Sequence, residues 1–154
     1  MARASAAILV LALVPAVTFG AAAGAQTALG AEIVLEVSPV PSAKGRLHLA
    51  IYDRAEEFPK QGFGRVRDNV PAEASITRYV ALDLPPGRYA VAVFHDENGN
   101  GAFDQGLFAW PLEGFGFSRD PSVLSGAPDF DAAAVEVDEP GVRIPIRLRQ
   151  GPFD

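Results

Sequence analysis

Acidic and amide side chains cluster between residues 95 and 104, in the run His-Asp-Glu-Asn-Gly-Asn-Gly-Ala-Phe-Asp. Counted from Asp96, oxygen-bearing side chains fall at positions 1, 3, 5 and 9, and glycine occupies position 6. This is the spacing of an EF-hand calcium loop, in which alternate side chains point inward and glycine permits the sharp turn. The predicted calcium ligands are the side chains of Asp96, Asn98, Asn100 and Asp104 and the backbone carbonyl of Ala102.

The pattern departs from a true EF-hand in two respects. Position 12 is Leu107, so the bidentate glutamate is missing, and the run follows a strand pattern instead of a helix. Glu113 or Glu97 could supply the last carboxylate, and we expect weak binding, with a dissociation constant of about 10⁻⁴ to 10⁻³ M. Asn-Gly pairs are also favoured in hairpin turns, because both residues tolerate positive φ. A plain turn without metal therefore stays open.

A second cluster, residues 107–118, alternates aromatic side chains with glycine. Trp110, Phe115 and Phe117 could form a platform for a glycan or a protein partner, because flat rings stack on sugars and glycine allows close approach. The alternative is that the two phenylalanines plug one end of the fold. His95 is a further candidate for ligand binding, although a lone histidine is more often structural, with one ring nitrogen hydrogen-bonded.

The residue inventory gives little support to catalysis. The chain has no cysteine, no Gly-x-Ser-x-Gly elbow and only two histidines, which removes thiolate chemistry and leaves few nucleophile–base pairs. We expect His48 on the outer face of a strand, at the surface. A hydrolase built on His95 with Asp96, or on Asp96 with Glu113 as a carboxylate pair, is less favoured than a non-catalytic protein.

The elements that must position these clusters show the apolar–polar alternation of strands. Residues 89–94 are apolar on both faces, which predicts a central strand, and Pro145 predicts that the last strand lies at an edge. Two short segments look helical, 54–58 with Asp53 as N-cap, and 130–133. The predicted strands cover residues 33–37, 47–51, 76–82, 89–94, 133–137 and 142–148.

Pro-Gly turns separate several of these strands, including Pro85-Pro86-Gly87 and Glu139-Pro140-Gly141. Short strands with turns at this spacing are typical of an antiparallel sandwich. We therefore predict an all-β fold, a Greek-key β-sandwich of prealbumin or immunoglobulin type with about seven strands.

The first 25 residues predict a signal peptide. Arg3 gives a positive start, residues 6–17 are apolar, and Ala23-Gly24-Ala25 is a small-x-small cleavage signal. The second half of this stretch is too weakly apolar for a good membrane span. We expect cleavage near Ala25, which leaves one domain, residues 26–154, periplasmic or secreted and without a membrane span.

The mature chain is acidic. Removing Arg3 from the 13 basic residues leaves 12 against 19 acidic ones, a formal charge of −7. This charge repels nucleic acid, so we expect no nucleic-acid partner and favour cations or neutral ligands.

The run Leu82–Gly101 resembles the signature of the DUF2141 family of uncharacterised bacterial exported proteins. The likeness extends over residues 44–52, 57–59, 111–118 and 128–133, although Arg119-Asp120 stands where the family usually has an Asn-rich stretch. The resemblance implies export and a shared type of loop, but no reaction. The sequence thus leaves three hypotheses: a calcium-binding sandwich, a carbohydrate or cell-surface module using residues 107–118, and a purely structural envelope protein.

Overall fold

Two β-sheets pack against each other in a computed structural model that describes residues 30–151. The all-β sandwich predicted from the sequence is confirmed, whereas the predicted signal peptide, residues 1–25, lies outside the described residues. The strands are β1 (Ala31–Val40), β2 (Arg46–Tyr52), β3 (Val66–Pro71), β4 (Ser75–Leu84), β5 (Gly87–Asp96), β6 (Gly114–Phe117), β7 (Val135–Val137) and β8 (Gly141–Arg147). A short α-helix, α1 (Phe130–Ala133), and a 3₁₀ turn at Leu107–Ala109 complete the elements of this part of the chain.

One sheet has the strand order β4-β1-β8, and the other has the order β3-β2-β5-β6, with β7 also paired to β5. Every pairing is antiparallel except β1 with β8, which run parallel with Leu35 opposite Ile144. A parallel pair requires a long connection, and β1 and β8 lie near the two ends of the chain. The antiparallel prediction therefore holds for all but this pair, and the Greek-key connection stays a prediction.

The main core lies between the two sheets. Strand β5 supplies Tyr89, Val91 and Val93 to this core, and its alternate residues Ala90 and Ala92 face the opposite side. Strand β5 lies between β2 and β6, and β8 is at a sheet edge, as predicted for both. Fully buried core side chains from the other strands include Ile33, Leu35, Val37, Leu47, Ile51, Val137 and Ile146.

A second apolar cluster covers part of the face of the five-stranded sheet that points away from the core, here called the outer face. Phe58, from the connection between β2 and β3, packs there with Tyr52 and with Phe130 of α1. This cover buries Ala90 and reaches Ala92, which stays half-exposed, as does Phe94 further along β5. The outer face is therefore closed at the start of β5 and open towards its end.

The segment 54–58 forms turns instead of the predicted helix. The bonds from the N–H of Glu57 to the carbonyl of Arg54 and from the N–H of Lys60 to that of Glu57 span three residues each. Pro59 disfavours the helical conformation of the residue before it, which explains the difference. The predicted cap, Asp53, instead pairs with Arg65 at 3.0 Å.

Helix α1 is confirmed, and Ala133 belongs to it instead of to the fifth predicted strand. Strands β3 and β6 were not predicted. The first is an edge strand in which four of the six residues are exposed, and the second is a Gly-Phe repeat four residues long. No helix in residues 30–151 is long and apolar enough to cross a bilayer.

Candidate functional site: an oxygen-rich loop at the end of β5

Asp96, the last residue of β5, organises the loop that follows, here called the Asp96 loop (residues 96–104). Its side chain is 1% exposed. Oδ1 accepts hydrogen bonds from the backbone N–H groups of Gly99 (2.6 Å) and Asn100 (3.2 Å). Oδ2 accepts one from the N–H of Gly101 (2.8 Å) and one from Nε2 of His48 (3.1 Å). Four donors fill the acceptor capacity of a carboxylate, and three of them are backbone N–H groups of the loop. Asp96 therefore fixes the conformation of the loop.

Two features of the loop depend on this arrangement. Gly99 and Gly101 both have φ of 76°, the left-handed conformation that glycine adopts without strain, and this turns their N–H groups towards Asp96. Burial opposes ionisation of Asp96, but the backbone donors and His48 more than offset it and hold its pKa below the ordinary value. Asp96 is therefore a buried, fully hydrogen-bonded anion.

Three of the other predicted ligands converge on one another. The carboxylate of Asp104 accepts hydrogen bonds from Nδ2 of Asn98 at 2.6 Å and from Nδ2 of Asn100 at 2.9 Å. The oxygens of these two amides accept N–H groups of the loop backbone, from Asn100 and Ala102 respectively. The sequence spacing thus identified side chains that do meet in space, and amide nitrogens face Asp104 where a bound cation would require oxygens.

Glu113 is the carboxylate that joins this group from outside the loop. Its Oε2 accepts the backbone N–H of Asp104 at 3.1 Å, whereas its buried Oε1 has no hydrogen-bond partner. Burial raises the pKa of Glu113, the negative charges of Asp104 and Asp96 add to the rise, and the backbone N–H groups of Asp104 and Glu97 only partly oppose it. Glu97 is 44% exposed and lies 3.6 Å from the ring of His95. Of the two residues that could supply the last carboxylate, Glu113 is therefore the one whose carboxylate contacts Asp104.

These residues fit calcium better than a metal that needs several strong ligands. Within residues 30–151, no three His, Asp or Glu side chains converge to hold a metal ion by themselves. The available set mixes two carboxylates, Asp104 and Glu113, with amide and backbone carbonyl oxygens. Calcium accepts six to eight oxygens of such mixed type in flexible geometry.

The two histidines lie on opposite faces of the five-stranded sheet. His95 is fully buried on the core side, where Nε2 donates to the carbonyl of Lys44 at 2.8 Å, and its Nδ1 has no hydrogen-bond partner. Because successive strand residues point to opposite faces, His95 and Asp96 do not form a catalytic pair. The structure therefore does not bring His95 to a ligand-accessible surface.

His48 is not the plain surface residue that the sequence predicted. It is half-buried on the outer face, stacked on Phe94 with ring centroids 4.7 Å apart and planes 7° from parallel, and bonded to Asp96. The signal available in the sequence was weak, because it consisted only of the alternation that placed His48 on the polar side of β2.

The aromatic stretch 107–118 divides into two parts. Residues 105–111 form a small hairpin, here called the tip hairpin, in which the N–H of Gly106 donates to the carbonyl of Trp110 at 2.7 Å. Phe108 is fully exposed at its end, and Trp110 is 46% exposed. The N–H of Leu112 donates to the carbonyl of Asp104 at 3.0 Å, which ties the tip hairpin to the Asp96 loop.

Phe115 and Phe117 lie on the outer face of β6, opposite Phe94 and Ala92 of β5. They contact each other with ring centroids 6.0 Å apart. Between them Gly116 faces inward, where any side chain would overlap the carbonyl oxygen of Arg147. The alternating glycines therefore serve backbone approach between β6 and the end of β8.

The fold and the loop define an all-β sandwich protein with an oxygen-rich loop at the end of its central strand. The chain belongs to DUF2141, a family of uncharacterised proteins conserved in bacteria, which matches residues 35–145. This confirms the resemblance seen in the sequence, and the matched region contains the whole Asp96 loop and Glu113. No curated protein and no solved structure matches the chain.

Proposed function

We propose that this chain is an exported, non-catalytic β-sandwich protein whose Asp96 loop binds a calcium ion and thereby orders the connection to β6. The observation that carries the proposal is the buried, unpartnered Oε1 of Glu113, next to the loop that contains Asp104. A buried carboxylate oxygen without a partner is costly, and a cation would satisfy it and offset the repulsion among the carboxylates.

The ligands in this proposal have different roles. Asp104 and Glu113 supply negatively charged ligands. The amide oxygens of Asn98 and Asn100, after rotation of the amides, and the carbonyl oxygen of Ala102 supply neutral ligands. Asp96 holds the loop in shape through its backbone donors and joins the ligand set only when His48, its one side-chain donor, moves aside. This division explains why a loop with so few free charges would bind weakly.

Weak binding still has a measurable effect. An ion bound only by the folded loop adds RT ln(1 + [L]/Kd) to stability, about 1.4 kcal/mol at ten times Kd. For a domain of this size that raises the melting temperature by about 5 °C.

Two features support the absence of catalysis. The His95–Asp96 pair considered for a hydrolase is not formed, because the two side chains point to opposite faces of the sheet. The histidine that contacts Asp96 is His48, which is stacked on Phe94 and donates to a carboxylate that three backbone N–H groups already engage. The other carboxylate pair, Asp96 and Glu113, is 1% and 7% exposed, so a substrate has little access to either group. Export is supported by the sequence of residues 1–25, with its positive start, apolar run and small-residue cleavage signal.

Thermal melts in chelator, in millimolar calcium and in millimolar magnesium test the calcium site. We expect calcium to raise the melting temperature of the wild type by several degrees and that of Glu113→Gln not at all. In chelator the variant should melt at the same or a higher temperature, because the raised pKa of Glu113 means that its ionised form is disfavoured in the fold.

Asp138→Asn is the matched control. It removes one negative charge in the turn after β7, and β7 pairs with the start of β5, whereas the Asp96 loop follows the end of β5. The control should keep the full calcium response. Equal melts of the wild type in calcium and chelator would reject the calcium proposal and leave a plain Asn-Gly turn.

A second candidate, a carbohydrate or cell-surface module, is favoured by the exposed rings of the tip hairpin. Phe108 is 101% exposed and Trp110 46% exposed, an arrangement that could stack on a sugar. Co-sedimentation with insoluble polysaccharides tests it. Trp110→Ala should lose retention and Leu124→Ser, at another exposed apolar side chain, should keep it. Failure of every polysaccharide to retain the wild type would reject this candidate.

A further inference from the structure

A groove of about 560 Å³ runs along the open part of the outer face. Its floor is formed by Ala50 and Ala92, which lie directly opposite each other in the pairing of β2 with β5. Small side chains at both positions leave a depression between taller neighbours. The volume lies within the range of about 300–1,000 Å³ that is typical of small-molecule sites.

Aromatic rings form one wall of this groove. Phe94, Phe103, Phe115 and Phe117 follow one another with ring centroids 5.6, 5.8 and 6.0 Å apart. Their packing on one another fixes their orientation before any ligand enters. A rigid row of rings beside a flat floor accommodates a planar apolar molecule better than a flexible chain.

The opposite wall carries positive charge. Arg67 of β3 pairs with Ala50, so its side chain shares the outer face with the floor, and its Nη1 donates to the carbonyl of Gly62 at 2.6 Å. The neighbouring Asp68 also borders the groove, but it alternates to the inner face of β3, opposite Leu49. His48, a half-buried polar ring, lies at the end of the groove nearest the Asp96 loop.

From this arrangement we infer that the groove binds a small planar aromatic compound with one anionic group. The rings of the ligand lie over Ala50 and Ala92 against the phenylalanine wall, and its anionic group faces the guanidinium of Arg67. Arginine recognises carboxylate or sulfonate groups with directional, charge-assisted hydrogen bonds. A positive wall is distinctive because the chain as a whole carries a net charge of −6.

The binding test uses two fluorescent probes with the same ring system. One is 8-anilinonaphthalene-1-sulfonate, and the other is the uncharged N-phenyl-1-naphthylamine. We expect saturable binding of both to the folded wild type, with the anionic probe bound more tightly. Arg67→Gln should lower the affinity for the anionic probe about tenfold and change the affinity for the neutral probe by less than about twofold, because only the anionic probe loses a charged partner.

Two further variants keep the proposal falsifiable. Ala92→Ile fills the floor with a strand-compatible side chain and should lower the affinity for both probes. A thermal melt verifies that the variant folds. Phe108→Ser removes the exposed ring of the tip hairpin and should change neither affinity. Unchanged binding to Ala92→Ile, equal loss of both probes with Arg67→Gln, or loss with Phe108→Ser would each overturn the inference.

Discussion

The two faces of strand β5 differ in the residues they present and in their surroundings. On the inner face Tyr89, Val91 and Val93 are buried in the core between the sheets, and the series ends in the fully buried His95. On the outer face the series ends in Asp96, which is equally buried but anionic and saturated with hydrogen bonds. The same strand thus stabilises the sandwich with one set of residues and borders the proposed loop site and groove with the other.

The difference also explains why part of the outer face stays open. Small side chains at Ala50 and Ala92 leave the groove unfilled, and α1 and the 53–64 connection cover only the first half of β5. The Asp96 loop contributes Phe103 to the groove wall, and Gln61 donates to the carbonyl of Gly101 at 3.0 Å. The polar loop and the apolar groove are therefore neighbours that share side chains.

The largest expected effect is that of Asp96→Ala. The substitution leaves the backbone N–H groups of Gly99 and Gly101 without an acceptor, while that of Asn100 keeps the amide oxygen of Asn98, so we expect a loss of about 3 kcal/mol in the free energy of unfolding, with or without calcium. Urea denaturation in chelator and in calcium measures it. A loss confined to the calcium sample would instead make Asp96 a simple metal ligand.

A neighbouring pair on β5 tests the contrast between the faces. Val91→Ala opens a cavity in the core and should cost about 2 kcal/mol, whereas Ala92→Ser on the half-exposed floor should change stability by less than about 0.5 kcal/mol. Denaturant melts of the two variants give both values. Similar losses would mean that the outer face is packed as tightly as the core.

The smallest effect is the pH dependence of the contribution from Asp96. Because its pKa is lowered in the fold, the stability it adds is complete above the ordinary aspartate pKa of 3.8 and is lost as the pH falls through the lower folded value. The difference in unfolding free energy between the wild type and Asp96→Asn should therefore be constant near neutral pH and shrink in acid. A difference that grows in acid would contradict a lowered pKa.

Much of the sandwich could be predicted because its core strands alternate with period two. The regular apolar series in β1, β2, β5 and β8 identifies them, and both the central place of β5 and the edge place of β8 followed from composition and Pro145. Strand β3 was missed because its two core-facing apolar residues, Val66 and Val70, are separated by Asp68 on the same face, which breaks the apolar alternation. Strand β6 was missed because its glycines are needed for close backbone contacts with the end of β8. These contacts join residues more than thirty positions apart in the sequence.

The part of the site that is contiguous in sequence could be predicted, whereas the part assembled from distant segments could not. The spacing of Asn98, Asn100 and Asp104 was enough to predict that they meet, because all three belong to one loop. The saturation of Asp96 was not visible, since one donor is His48, 48 residues distant in the chain. The groove was invisible as well, because its floor and walls come from separate strands and connections.

Direct binding of an ion to the Asp96 loop is the decisive measurement. Trp110, the single tryptophan of the chain, lies six residues from Asp104 in the adjoining tip hairpin and can sensitise the luminescence of a bound terbium ion. The account predicts saturable terbium emission that millimolar calcium displaces, that Asp138→Asn retains and that Glu113→Gln loses. Emission that is absent, or that Glu113→Gln leaves unchanged, would contradict a calcium site at this loop.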